Sequence, residues 1–253
     1  MKTIAIVNRK GGVAKTTTCV NLAADLARDH GERVLVVDAD SQANATTFLG
    51  GDKTRPGMEA LLQGAPIVPL QLTNAGDGIR LISASDSLMA LDLTKAGEGK
   101  LKLSCLRDLR QYLETMHEPF GYCLIDCPPA FNAASSAALI AADSVLIPIK
   151  LDAFALEGMA NLMQQIANMR RINPRLQVLG LLPVMWYKSP EISKAEMALR
   201  ESGLPILPRI RRSNRVDDMT FHQAPLIVCS PHSGACQDYR RLADFLEGGG
   251  RNG

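Results

Sequence analysis

Apolar residues fall along this chain in short unbroken runs, separated by stretches in which they recur every three or four positions. Thr3 to Val7, Val34 to Asp38 (VLVVD), Tyr122 to Asp126 (YCLID), Ser144 to Ile149 (SVLIPI) and Gln177 to Met185 are the unbroken runs. They are too short for helices and too continuous for a strand with one wet face, so they predict strands buried on both faces of a parallel sheet. Thr16 to Arg28, closed by Gly31, and the segments 133–142, 154–172, 190–201 and 234–246 carry helical spacing instead. Strand and helix alternate from end to end, which predicts an α/β fold: a doubly wound, mostly parallel sheet with helices on both faces. Residues 50–78 are richer in Gly and Pro and read as an excursion with one short helix near Met58 to Gln63. Gly248 to Gly253 (GGGRNG) has no apolar face and is expected to fray, leaving 1–247 as a single domain.

Composition supports this picture without sharpening it. The 253 residues are 46% apolar and 21% charged, ordinary globular usage in a length that one α/β domain can occupy. Six cysteines are present, but the only short spacing, Cys123 to Cys127, lies in an apolar run, so reduced buried thiols are expected rather than a disulfide framework or metal cage. No stretch approaches the roughly 18 apolar residues of a membrane span, and the N-terminus enters a strand rather than a signal-peptide core; a cytoplasmic protein is expected.

Charge changes the picture more. The net charge is +2, yet residues 150–253 carry 14 basic and 10 acidic groups, and residues 165–215 carry ten basic against three acidic. Arg209, Arg211, Arg212 and Arg215 place four guanidinium groups within seven residues, with Arg170, Arg171, Arg175, Lys188 and Lys194 upstream. Such a surface attracts phosphate backbones without reading base sequence.

The candidate chemistry begins after the first strand, at Asn8-Arg9-Lys10-Gly11-Gly12-Val13-Ala14-Lys15-Thr16-Thr17-Thr18. A phosphate cradle needs small residues so that backbone N–H groups can turn toward oxygens, a lysine for the β and γ phosphates, and a hydroxyl for magnesium. Gly11, Gly12, Lys15 and Thr16 meet those needs, within a binding loop that also takes in Val13, Ala14 and Thr17. The ordinary P-loop has glycine where this chain has Arg9 and Ala14.

KGGVAKTT closely resembles the deviant Walker A signature of the ParA/MinD family of P-loop ATPases, nearest to ParA/Soj-type partition ATPases without an N-terminal helix-turn-helix domain. Two further segments carry the resemblance: Asp38 to Thr46 (DADSQANAT), similar to the family's D-x-D-P-Q-x-N-A-T with Ser41 in place of proline, and Ile125 to Pro129 (IDCPP), a Walker B strand end. Ala141 to Pro148 and Ala155 to Gly158 also look like family segments. The resemblance implies ATP and Mg2+ as ligands. It assigns Thr16 and Asp126 to the magnesium shell, Asp40 to orienting the attacking water, and Lys10 to reaching the nucleotide of a partner subunit. Leu207-Pro208-Arg209 resembles the stretch that lines the family's adenine pocket, which nominates Pro208, although Ile210 stands where an asparagine is expected.

By that resemblance the chain is expected to form a homodimer on ATP binding and to bind nonspecific duplex DNA through Arg170, Arg171, Arg209, Arg211, Arg212 and Arg215. A ParB-like centromere-binding or cargo adaptor protein would then trigger hydrolysis and release, in a cytoplasmic, nucleoid-associated cycle. The alternatives within the fold are an ATPase positioning a protein or conjugative cargo, a MinD-like membrane-cycling ATPase, and a metal-cluster reductase. A membrane partner is not expected, because the chain finishes in glycines and one arginine rather than in an amphipathic helix.

Overall fold

The computed structural model describes residues 1–72, 77–95, 101–152 and 158–248. Residues 155–157 of the Ala155 to Gly158 segment, the start of the helix expected from 154, and the expected tail beyond 248 lie outside them.

In chain order the first half contains β1 (Lys2–Ile6), α1 (Lys15–Asp29), β2 (Val34–Asp38), α2 (Asn44–Phe48), α3 (Met58–Leu62), β3 (Leu70–Gln71), β4 (Ile79–Ile82), α4 (Ser87–Lys95) and α5 (Cys105–Leu113). The second half contains β5 (Tyr122–Asp126), α6 (Ala133–Ala141), β6 (Ser144–Lys150), α7 (Met159–Met169), β7 (Gln177–Val184), α8 (Pro190–Arg200), α9 (Val216–His222), α10 (Leu226–Cys229) and α11 (Gly234–Glu247). The strands form one sheet in the order β3-β4-β2-β5-β1-β6-β7. All pairings are parallel except β3 with β4.

The double burial predicted for the unbroken apolar runs follows from strand alternation. Ala5, Leu35, Val37, Cys123, Ile125, Val145 and Ile147 enter a core shared with α3, α5, α6 and α7. Ile4, Ile6, Val34, Val36, Leu124 and Leu146 enter a second core shared with α1, α9, α10 and α11. Neither face of the central strands meets water, so charged residues are confined to the strand ends. They end together: Ile6 pairs with Asp126, and Asp38 pairs with Asp126, so the carboxyl ends of β1, β5 and β2 stand side by side. The chain runs outward from β1 to β2 and β4, returns to insert β5, and leaves on the other side through β6. Ligands of doubly wound sheets bind at that reversal.

The excursion expected over 50–78 is shorter and more structured than the Gly/Pro content suggests. It holds the expected short helix as α3, but β3 is a two-residue antiparallel edge strand, and β4 from Ile79 extends the parallel sheet. The run Ile79 to Ile82 is only four residues long, with an arginine inside it, and was below the length at which periodicity separates strand from loop. All six cysteines are free, and only Cys229 is partly exposed.

Candidate phosphate-binding site

Between Ile6 and Lys15 the chain makes a turn clamped by one side chain. Asn8 donates from Nδ2 to the Pro148 carbonyl at 2.7 Å and accepts the Lys10 amide on Oδ1 at 2.9 Å. Gly12 takes φ 68° and Ala14 φ 58°, both left-handed, and α1 starts with no side chain capping its first amides. A Cβ added to Gly11 or Gly12 would meet nothing within 4 Å. The glycines are therefore not demanded by the protein's own packing on that side, and what they keep clear is the space in front of the α1 N-terminus. An uncapped helix start with open space ahead of it presents N–H donors and the positive end of the dipole to an anion.

Lys15 is nearly buried, 8% exposed, and its ammonium donates to the Lys10 carbonyl at 3.2 Å. Burial lowers its pKa, while Asp126 and then Asp40 pull it back up. Asp126 is 1% exposed, and neither of its carboxylate oxygens has a hydrogen-bond partner of normal geometry; the Thr16 hydroxyl beside it favours the charged form. Burial first, and the neighbouring Asp38 second, push the Asp126 pKa well up. A buried carboxylate with both oxygens orphaned is a strong demand for a cation. Among the described residues no three His, Cys, Asp or Glu side chains converge into a metal cage. That combination suits magnesium, which keeps most of its shell for water and phosphate oxygens and takes one or two protein ligands. Thr16 and Asp126 fit that role.

Asp38 serves the scaffold. Fully buried, it accepts the Thr46 amide at 2.7 Å and the Thr46 hydroxyl at 2.8 Å on Oδ2, and the Asp40 amide on Oδ1. These bonds partly offset the burial that raises its pKa to about 6. Thr46 Oγ1 in turn accepts the Ala84 amide, so the segment after β2 is tied to the end of β4. Asp40 stands half-buried at the turn, with Oδ1 accepting the Gln42 amide at 3.0 Å.

The structure separates residues that sequence grouped. Lys10 does not turn into its own cradle: its ammonium, 41% exposed, pairs with Asp152 at 2.7 Å. Asp152 is 142 residues away and carried no signal of its own. Ile210, at the position of the expected asparagine, is buried in the core at 3% exposure, so its side chain is not available to a base; Pro208 beside it is half-buried.

The arginines divide as well. Arg211 already has a partner: Nε and Nη2 donate to both oxygens of buried Asp238 at 2.7 and 2.8 Å, while its side chain stays 44% exposed. Arg209 lies 3.6 Å from the centre of the Trp186 ring, beside Glu196. Arg170 donates to the Leu176 carbonyl, and Arg215 faces Asp218 at 3.6 Å. The exposed side chains of Arg171 and Arg212 make no hydrogen bond or ion pair among the described residues. No described helix is long and apolar enough to cross a membrane.

A family described as an AAA domain matches residues 1–178. The chain is 34% identical over 250 residues to the chromosome partitioning protein ParA of Caulobacter vibrioides, covering 96% of this chain and 92% of that one. It is 35% identical over 248 residues to the chromosome-partitioning ATPase Soj of Thermus thermophilus, covering 96% and 94%. Among solved structures, cobyrinic acid a,c-diamide synthase from Mycobacterium smegmatis with bound ATP analogue and magnesium superposes with a TM-score of 0.77 at 27% identity, covering 98% of this chain and 94% of that one.

Proposed function

This chain belongs to the ParA/MinD family of P-loop ATPases, and on that footing we propose that it is an ATP-driven partition protein that dimerises around ATP, holds DNA in that state and lets go on hydrolysis. The observation that carries the reading is the open α1 N-terminus set against a buried Asp126 whose two oxygens lack partners. The triphosphate lies along the amides of Gly11 to Thr17, and Lys15 exchanges the Lys10 carbonyl for phosphate oxygens. Thr16, and Asp126 through the hydration shell, would hold magnesium, which would supply neutralisation of the phosphate charge. Asp40 orients the attacking water, and Pro208 flanks the base.

Lys10 is the coupling residue. Its bond to Asp152 keeps it on the protein surface and off its own phosphates. A phosphoryl group offered by a facing protomer is the stronger partner, and a second cation there offsets charge as an arginine finger does. Arg171 and Arg212 supply the free cations for duplex DNA, with Arg170, Arg209, Arg211 and Arg215 as weaker contributors because each already has a partner. Two such faces in one dimer multiply the phosphate contacts, and affinity rises steeply. A ParB-like adaptor that stimulates hydrolysis would end the cycle in a cytoplasmic, nucleoid-associated setting.

Binding to nonspecific duplex DNA at two salt concentrations, without nucleotide and with ADP, ATP or a slowly hydrolysed analogue, tests this. The expected result is ATP-selective, salt-sensitive binding that is lost in Lys10→Ala and weakened in Arg171→Ala and Arg212→Ala, each lowering the salt slope by about 1. Binding that is absent, or equal in all nucleotide states, overturns the DNA-tethered cycle and points to a protein cargo.

A further inference from the structure

We infer that Arg9 is a second cation delivered across the dimer face, touching the phosphates of the nucleotide held by the partner subunit; this rests on the ATP-bound dimer proposed above.

Arg9 stands where an ordinary phosphate loop has glycine, a position that asks for no side chain. The Asn8 clamp on Pro148 and on the Lys10 amide fixes the loop, and residues 9 and 10 border different hollows beside it. Lys10 borders a hollow made by Ile149, Lys150 and Met159, on the β6 and α7 side. Arg9 borders a different hollow, made by Pro128, Pro129 and Phe131 after β5, Ser135 of α6 and Gln165 of α7. None of Gly11 to Thr16 borders that second hollow, so Arg9 faces away from its own cradle.

The charges around the two residues differ. Lys10 has Asp152. The hollow beside Arg9 contains no carboxylate, and the exposed guanidinium makes no hydrogen bond or ion pair among the described residues. The chain thus holds an unpaired guanidinium next to Lys10, whose carbonyl accepts the Lys15 ammonium, and each added positive charge there repels the others unless an anion arrives. The protein's own nucleotide is served by Lys15 and the loop amides. What remains is an anion presented from outside.

Topology says which end of the nucleotide that would be. Arg9 lies on the β5 flank of the loop, the flank of Asp126 and of the segment after β2 that carries Asp40. That is the end at which a phosphoryl group is cleaved rather than the end at which a base is held. In a two-fold dimer the same patch of both protomers forms the interface and each contact of residue i with residue j is repeated as j with i, so a cation exposed beside one site can reach the reacting phosphate of the other, and reciprocally. A planar guanidinium binds phosphate oxygens in pairs and stays charged at any working pH, so it suits a transferring phosphoryl group better than a lysine does.

The test measures ATP turnover without DNA, alongside ATP-dependent dimerisation by light scattering, for wild type, Arg9→Ala, Arg9→Lys, and Arg9→Ala mixed one to one with Asp40→Ala (or with Asp126→Ala should Asp40→Ala keep its activity). Arg9→Ala is expected to fold and dimerise but to turn over about tenfold more slowly or worse, with Arg9→Lys between it and wild type. The mixture should regain roughly a quarter of wild-type turnover, the share of sites that random pairing makes competent when Arg9 comes from the partner. Wild-type turnover in Arg9→Ala, or a mixture no faster than the mean of its two components, overturns the inference while leaving the dimer reading intact. A wild-type protein that stays monomeric with ATP overturns the dimer reading and this inference with it.

Discussion

Ala14 illustrates how single residues at the site balance opposed terms. Its left-handed backbone, φ 58° and ψ 33°, costs an L-residue about 1 kcal/mol, and the usual glycine would avoid that. Glycine in turn loses about 0.5 to 1 kcal/mol through the greater freedom of the unfolded chain, and Ala14 also packs against the core under α1. The terms nearly cancel. Ala14→Gly should therefore leave thermal stability within about 1 kcal/mol of wild type, whereas Ala14→Val, whose branched Cβ fits that region worst, should lose about 2 kcal/mol or more. Equal melting temperatures for Val and Gly would contradict the strained-loop reading.

At the scale of elements, α1 is both the floor of the site and the helix packed on α11, and Asp25 sits in that contact. It is 1% exposed, and its Oδ1 has no hydrogen-bond partner. Burial, then the neighbouring Asp29, raise its pKa to about 8, with Arg240 pulling against them and Asp244 adding to them. The folded state therefore holds this proton more tightly than the unfolded chain does. Stability is then greatest below the ordinary carboxylate range, near pH 4, and is lost as pH rises toward about 8. Asp38, raised to about 6, adds a slope of the same sign between about pH 4 and 6. Thermal unfolding of the nucleotide-free protein at pH 5.5 and pH 8 should show the lower stability at pH 8, by of the order of a few kcal/mol. Asp25→Asn should flatten part of that difference, with Asp38 and Asp126, whose pKa values are also raised, keeping the rest; an unchanged slope in the variant would rule out Asp25 as a source.

The whole molecule gathers charge where three strands end, and that has a thermodynamic consequence. Asp38, Asp40 and Asp126 stand together with Lys15 as the buried cation among them. The free fold bears a cost that magnesium and ATP remove. Saturating Mg-ATP should raise the melting temperature, by about 2.7 kcal/mol of stability at a hundredfold excess over Kd. Asp126→Asn should split the two effects: the nucleotide-free variant melts higher than wild type because one buried carboxylate is gone, while the gain from magnesium with ATP and the hydrolysis are lost. A variant that melts lower and still hydrolyses would contradict the assignment of Asp126.

Much of this protein was legible in its sequence because the signals are local. Unbroken apolar runs specify strands buried on both faces, helical spacing specifies the layers between them, and the loop from Asn8 to Thr18 displays its small residues, lysine and hydroxyls in order. The strand ends at Asp38 and Asp126 were readable for the same reason: a carboxylate closing an apolar run marks where burial stops. What only the tertiary structure decided concerns partners distant in sequence. Asp152 holds Lys10, Asp238 takes Arg211, Trp186 lies under Arg209, and Ile210 turns into the core. A run of arginines looks uniform in sequence because charge type is a property of the residue. Whether each guanidinium is free depends on which carboxylate or ring folding brings within hydrogen-bond reach, and strand order and helix packing set that, not local pattern.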